Sequence, residues 1–131
     1  MNIHGEFEVS LDGNIICCKL SGSFNEQGSL AYQKQTKDLI LSFDKQPFGM
    51  FIDIVDIEGA TPDAYSSLDI DHIWQLSRPL IAKAYLVKSL VYRDIFMRQS
   101  TVLEQQNSQF FTNKAEAIAW LKQQLVIAGA D

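Results

Sequence analysis

The residues best equipped for chemistry in this 131-residue chain cluster between positions 53 and 72. Asp69, Asp71 and His72, in the run "DIDH", supply two carboxylates and an imidazole, the donor types of a metal site. On a helix, however, Asp69 and Asp71 point about 160° apart, and only Asp69 and His72 share a face. Two ligands without a third make a poor site, so an i, i+3 ion pair is expected there and no metal centre. Asp53 lies inside the apolar run "FGMFIDIV" and has the character of a buried acid, which needs a partner. No second carboxylate, base or nucleophile can be set opposite it, so it is read as bonded to backbone in the next turn. Thr61 precedes Pro62 and Asp63. Its hydroxyl can cap a helix, or it can accept a phosphate that the helix N-terminus would favour. Asp56, Glu58 and Asp63 would repel that phosphate, which leaves the cap as the leading role. No Ser-His-Asp, Cys-His, glycine-rich phosphate loop or HExxH pattern occurs, and neither catalysis nor a cofactor is expected.

Cys17 and Cys18 are adjacent, and neighbours on a strand point to opposite faces. A disulfide between them would be strained, so both are expected reduced, one facing in and one out. A net charge of −5 opposes nucleic-acid binding, which needs a basic stripe. Six acids and no Lys or Arg occupy positions 53–71, whereas five basic residues and one acid, Asp94, occupy 78–98. Solvated surface accounts for this division, with complementarity between subunits, or a basic edge that receives an anion, as the sharper alternative. The N-terminus lacks a basic region followed by an apolar core, and no apolar run reaches a membrane-spanning length, so a cytoplasmic protein is expected.

These residues need elements to hold them. "EFEVSLDGNIICCKLSG" reads as a hairpin with "DGN" at its turn, ending at Ser21 and Gly22. From about Asn25 to Phe43 the period becomes helical, with Tyr32, Thr36, Leu39, Ile40 and Phe43 as its stripe and Gln33, Lys34, Lys37 and Asp38 mostly off it. The run "FGMFIDIV" suits a central strand covered on both faces. Gly59 is expected to turn the chain into a second helix, capped by Thr61 and closing near Ser77 before Pro79. "LIAKAYLV" is a further strand, "SLVYRDIFMRQSTVLEQQ" a third helix with Ser89 as cap, "QFF" a short strand, and the segment after Thr112 or Asn113 a closing helix. The order β-β-α-β-α-β-α-β-α implies one α/β domain over residues 1–131. Its mixed sheet has about five strands, the later ones parallel and joined by right-handed crossovers, with about four helices.

Three stretches in this order resemble the SpoIIAA-like proteins, a branch related to the STAS domains of anti-sigma-factor antagonists. They are "FIDIVDIEGATPDAY", "IAKAYLV" and "FFTNKAEAIAWL", within a likeness that runs from about Phe7 to Leu125. The resemblance implies a small regulatory or ligand-binding module. The Asp-Ser-Ser-Gly phosphorylation turn of true STAS antagonists is missing here. Ser66 and Ser67 fall a turn into the helix, and Thr61 lies nearest to the switch position.

The second and third helices carry more apolar residues than a minimal buried stripe requires. Tyr65, Leu68, Ile70, Ile73, Trp74 and Leu76 lie on the second; Leu90, Val91, Tyr92, Ile95, Phe96, Met97, Val102 and Leu103 lie on the third. The surplus can line a crevice for a lipophilic molecule or form a homodimer surface. SpoIIAA-like proteins have been thought of as lipophile carriers, and the resemblance implies that role here. The expectation is a non-enzymatic binding module with a lipophilic ligand near Tyr65, Leu68, Trp74, Tyr92, Phe96 and Met97. The alternative is a STAS-type protein-interaction module, phospho-switched near Thr61.

Overall fold

A computed structural model of the chain describes residues 2–100 and 102–130. Two antiparallel strands, β1 (Glu6–Asp12) and β2 (Ile15–Phe24), lead into α1 (Glu26–Ser42), β3 (Phe48–Ala60), α2 (Pro62–Gln75), β4 (Leu80–Leu86) and α3 (Val91–Gln99). A single 3₁₀ turn at Leu103–Gln105 precedes β5 (Ser108–Phe111) and α4 (Lys114–Ile127). The five strands lie in sequence order, and β2 to β5 pair in parallel. The α/β architecture and element order are those expected from the sequence.

This strand order decides where the helices go. Three successive crossovers step the same way across the sheet, and one handedness therefore puts α1, α2 and α3 on the same face. Strand alternation sends Ile16, Cys18, Leu20, Met50, Ile52, Ile54 and Tyr85 to that face. The opposite face carries Ile15, Phe51, Ala82, Ala84 and Leu86, which α4 covers with Ala117, Leu121 and Leu125. β3 and β4 are thus buried on both sides, as continuous apolar runs require. Cys17 and Cys18 face opposite layers, both as free thiols, and burial pushes the Cys18 thiol up to about 11.

Five details depart from the sequence reading. β2 does not stop at Ser21 and Gly22, nor does Gly59 turn the chain. The two strands stay paired through Ser23 opposite Gly59 and Phe24 opposite Ala60. Register shifts flank Gly22, whose φ of 78° a side chain would resist, so a bulge absorbs what had looked like a strand end. Gln33, expected off the helical stripe, is buried against α2. α3 ends at Gln99, well short of Gln106, and the buried Val102 and Leu103 lie beyond it. Ser89 precedes this helix and accepts a bond from Val91 N at 3.3 Å, while the N-cap position itself is Leu90.

The prolonged β2–β3 pairing sets both helix starts side by side at one edge. Asn25 caps α1 by accepting from Gly28 N at 2.9 Å, and its Oδ1 also accepts from His4 N at 3.0 Å. The segment around His4 crosses α1 so closely that a Cβ on Gly28 would sit 1.9 Å from the His4 carbonyl oxygen. Gly28→Ala is therefore expected to destabilise the fold by about 1–3 kcal/mol, despite alanine's better helix propensity. Urea denaturation measures this, and an unchanged midpoint would mean that the His4 segment yields without cost.

Candidate functional site

α2 is anchored as its sequence predicts: Thr61 Oγ1 accepts from Ala64 N at 3.2 Å, with Pro62 at the first helical position. Thr61 N also donates to Phe24 O at 2.9 Å, tying the helix start to the end of β2. The Thr61 side chain is exposed. What the helix buries is unexpected. Its inward residues are Ala64, Ser67, Asp71, His72 and Gln75, whereas Ile70 and Ile73 are 69% and 57% exposed. Of the apolar residues of α2, Ile70, Ile73 and Leu76 are exposed and Tyr65, Leu68 and Trp74 half-buried, because polar partners wait on the inside.

The first set of partners is on α1. Ser29 Oγ and Ser67 Oγ lie 2.8 Å apart, and Gln33 Nε2 donates to both, at 2.9 and 3.1 Å. The second set is on β4 and the turn before β5. Lys83 Nζ donates to Gln75 Oε1 at 2.8 Å and to Gln106 Oε1 at 3.3 Å. Gln75 Nε2 donates to Asp71 Oδ2 at 3.1 Å, so the glutamine joins a buried lysine to a buried aspartate. Lys83 is 1% and Asp71 2% exposed. Burial raises the Asp71 pKa, against the pull of Lys83 and Lys37, and lowers that of Lys83 to about 8. Asp71 Oδ1 has no hydrogen-bond partner, although Lys37 Nζ comes within 4.0 Å.

His72 Nδ1 lies 3.5 Å from Asp69 Oδ1, the i, i+3 pairing that the sequence suggested. It is an ion pair only when the imidazole is protonated, and burial, with the nearby Lys83 charge adding to it, lowers the imidazole pKa to about 2. Ser100, just past α3, donates from Oγ to Asp69 Oδ1 and so fastens α3 to α2. No group of three or more metal-ligating side chains occurs among the described residues. Asp53 Oδ1 accepts from Val55 N at 3.0 Å, within the strand and not in the next turn.

Above this network lies a cavity with about 60 Å³ of internal space. Its floor is Leu20, Ile52, Ile54 and Tyr85; its sides are Tyr65 and Leu68 from α2 and Phe96 from α3. Tyr65 and Phe96 meet edge-on with ring centroids 6.1 Å apart, bridging the two helices. The polar end is Asp69, Asp71, His72, Gln75, Lys83 and Ser100. Of the six residues singled out for ligand binding, Tyr65, Leu68 and Phe96 line this cavity. Trp74 instead lies between Lys37 and Arg78, whose charged groups sit 5.1 and 5.7 Å from its ring. Tyr92 packs against the core from α3, and Met97 borders a separate surface hollow beside Phe110. Sequence reasoning missed Lys83 altogether. The signal was there in "LIAKAYLV", where a lysine interrupts a strand that must be buried on both faces.

No family model matches the chain, and no curated protein matches it in sequence. Solved structures do. An uncharacterized protein of the DUF3478 family with a SpoIIAA-like fold, from Shewanella loihica PV-4, is 15% identical and superimposes with a TM-score of 0.68 over 92% of this chain and 97% of its own. An anti-sigma factor antagonist from Mycobacterium paratuberculosis is 10% identical, with a TM-score of 0.65 over 90% of this chain and 94% of its own. At such identities the likeness is one of fold: this chain has the SpoIIAA-like α/β fold. No helix among the described residues is long and apolar enough to cross a membrane.

Proposed function

We propose that this SpoIIAA-like chain is a non-enzymatic binding module that holds a small lipophilic ligand between α2 and α3. The observation that carries this reading is the cavity itself, walled by Leu20, Ile52, Ile54, Tyr65, Leu68 and Phe96. Its volume of about 60 Å³ has room for roughly five water-sized groups, the bulk of a short aliphatic or a small ring. None of the residues of α3 is fully buried, and its hold on the core is through the half-buried Tyr92, Phe96 and Met97. The Tyr65–Phe96 contact and the Ser100–Asp69 hydrogen bond hold it to α2.

Mass spectrometry of the purified protein, first native and then denaturing, tests the reading directly. Extra mass that disappears on denaturation supports it. As a defined probe, 1-butanol should raise the melting temperature of the wild type. Phe96→Ala should weaken that binding about tenfold, the equivalent of roughly 1.4 kcal/mol. Thr61→Ala should leave binding intact and cost only about 1 kcal/mol of stability. Equal binding by wild type and Phe96→Ala would sink the proposal.

The alternative is a STAS-type protein-interaction module, phospho-switched at Thr61. It is favoured by the exposure of Thr61 together with Ile70 and Ile73 farther along α2. A phosphate-sized mass increment that survives denaturation and maps to Thr61 would support it. The exposed Leu90, Val91 and Ile95 on and beside α3 would fit a second copy of the chain, which light scattering reads as a doubled mass.

A further inference from the structure

Lys83 is an unusual wall residue for an apolar cavity. Its amine is fully enclosed, yet among the described residues no carboxylate lies within ion-pair distance of Nζ. Its two hydrogen-bond partners are both amide oxygens, Gln75 Oε1 and Gln106 Oε1. A neutral amine has two hydrogens, and these two acceptors satisfy both, leaving the nitrogen lone pair free. An ammonium would hold a third hydrogen with no oxygen acceptor among the described residues, only the face of the Tyr85 ring, whose centroid is 5.7 Å from Nζ. An anionic ligand head is a poor counter-ion here, because Asp69 and Asp71 border the same end of the cavity. A neutral electrophile meets no such repulsion.

We infer that Lys83 is a covalent ligand site, whose ε-amine captures a small apolar aldehyde or ketone in the α2–α3 cavity as an imine. This rests on the ligand-binding reading above and names the ligand's reactive group. The nitrogen–carbon bond forms as the carbonyl π pair moves to oxygen. The nitrogen then gives up its two hydrogens, and these leave with the oxygen as water while the carbon–nitrogen double bond closes. No electron is gained or lost overall. Asp71, with an unpartnered Oδ1 and a pKa raised by burial, is the cavity-wall acid able to carry a proton from nitrogen to oxygen. Burial, against the opposing pull of Asp71 and Cys18, lowers the Lys83 pKa to about 8, so a minor share of the amine is neutral near neutral pH and most of it above pH 8. Gln75 and Lys83 also border a second pocket of about 140 Å³ on the Gln106 side, a polar outlet for the water released.

The experiment mixes wild-type protein with a sub-stoichiometric amount of butanal and cyanoborohydride, which reduces an imine to a stable secondary amine. Peptide mapping then locates chains heavier by butanal less one oxygen. The expected result is an adduct on Lys83 at least about tenfold above any other amine, abolished in Lys83→Met. In parallel, the melting temperature is followed with 1-butanol, which fits the same cavity but forms no imine. Stabilisation by 1-butanol with adducts spread over exposed lysines would overturn the covalent site and leave the binding reading intact. No stabilisation by 1-butanol and no preference for Lys83 would overturn both. The wild-type mapping decides the matter even if Lys83→Met fails to fold.

Discussion

Acidification below about pH 6.5 is expected to destabilise the wild type steeply, and His72→Gln is expected to remove most of that slope. The His72 imidazole titrates near 6.5 when unfolded but only near 2 inside the fold. Between those values the unfolded chain holds a proton that the folded chain refuses, so stability falls as pH falls. The loss begins near pH 6.5, grows by about 1.4 kcal/mol per pH unit, and would reach about 6 kcal/mol near pH 2. That is comparable to the whole stability of an ordinary small domain. Asp71 acts in the opposite sense, since its raised pKa lets the folded state keep a proton that the unfolded state releases above 3.8. Comparing wild type with His72→Gln leaves the Asp71 contribution common to both. Urea denaturation at several pH values between about 6.5 and 4.5 should show the wild type losing about 2–3 kcal/mol more than the variant. Parallel curves would mean that Asp69, 3.5 Å from Nδ1, holds the imidazole charged after all.

Gln75→Leu should be the most damaging single substitution in the site, at about 3–5 kcal/mol. The glutamine's two ends answer two different groups, accepting from Lys83 Nζ and donating to Asp71 Oδ2. Leucine would leave Asp71 without a hydrogen-bond partner and Lys83 with Gln106 alone, at 3.3 Å. Both groups are buried, and leucine offers neither an acceptor to one nor a donor to the other. Replacing the whole set tests that explanation. Asp71→Leu, Gln75→Leu and Lys83→Met together remove every group that needs the bridge, and the triple variant should return to within about 2 kcal/mol of the wild type. If Gln75→Leu alone costs under about 1 kcal/mol, the bridge contributes little. If the triple variant is worse than the single one, shape and not hydrogen bonding holds α2 on the sheet.

The polar underside of α2 also shows where reading by pattern stops. The apolar residues of α2, Tyr65, Leu68, Ile70, Ile73, Trp74 and Leu76, were expected to supply both its buried stripe and a surplus, because apolar residues are normally the buried ones. Here Ser67 meets Ser29 and Gln33, Gln75 meets Lys83, and Ile73 is left to solvent. Ser67 and Gln75 are buried against partners on other elements, Asp71 against Gln75 of its own helix, and periodicity carries no information about partners. Lys83 was legible in part, as a charge within a strand that has no solvent face. Its glutamine acceptors at positions 75 and 106 were not.

By itself the sequence determined the element order, the cap at Thr61, a closing helix capped at Thr112 or Asn113, the burial of β3 on both faces, and the SpoIIAA-like pattern they compose. These depend on local backbone preference and on alternation within a few residues, which neighbours in sequence fully express. Tertiary structure alone decided that β2 and β3 stay paired to Phe24 and Ala60, that α3 stops at Gln99, and that Asp71, Gln75, Lys83 and Gln106 converge beneath a cavity shared by Tyr65, Leu68 and Phe96. Those outcomes turn on which distant residues meet, and a charge or amide is stable inside a protein only where its complement has been brought to it.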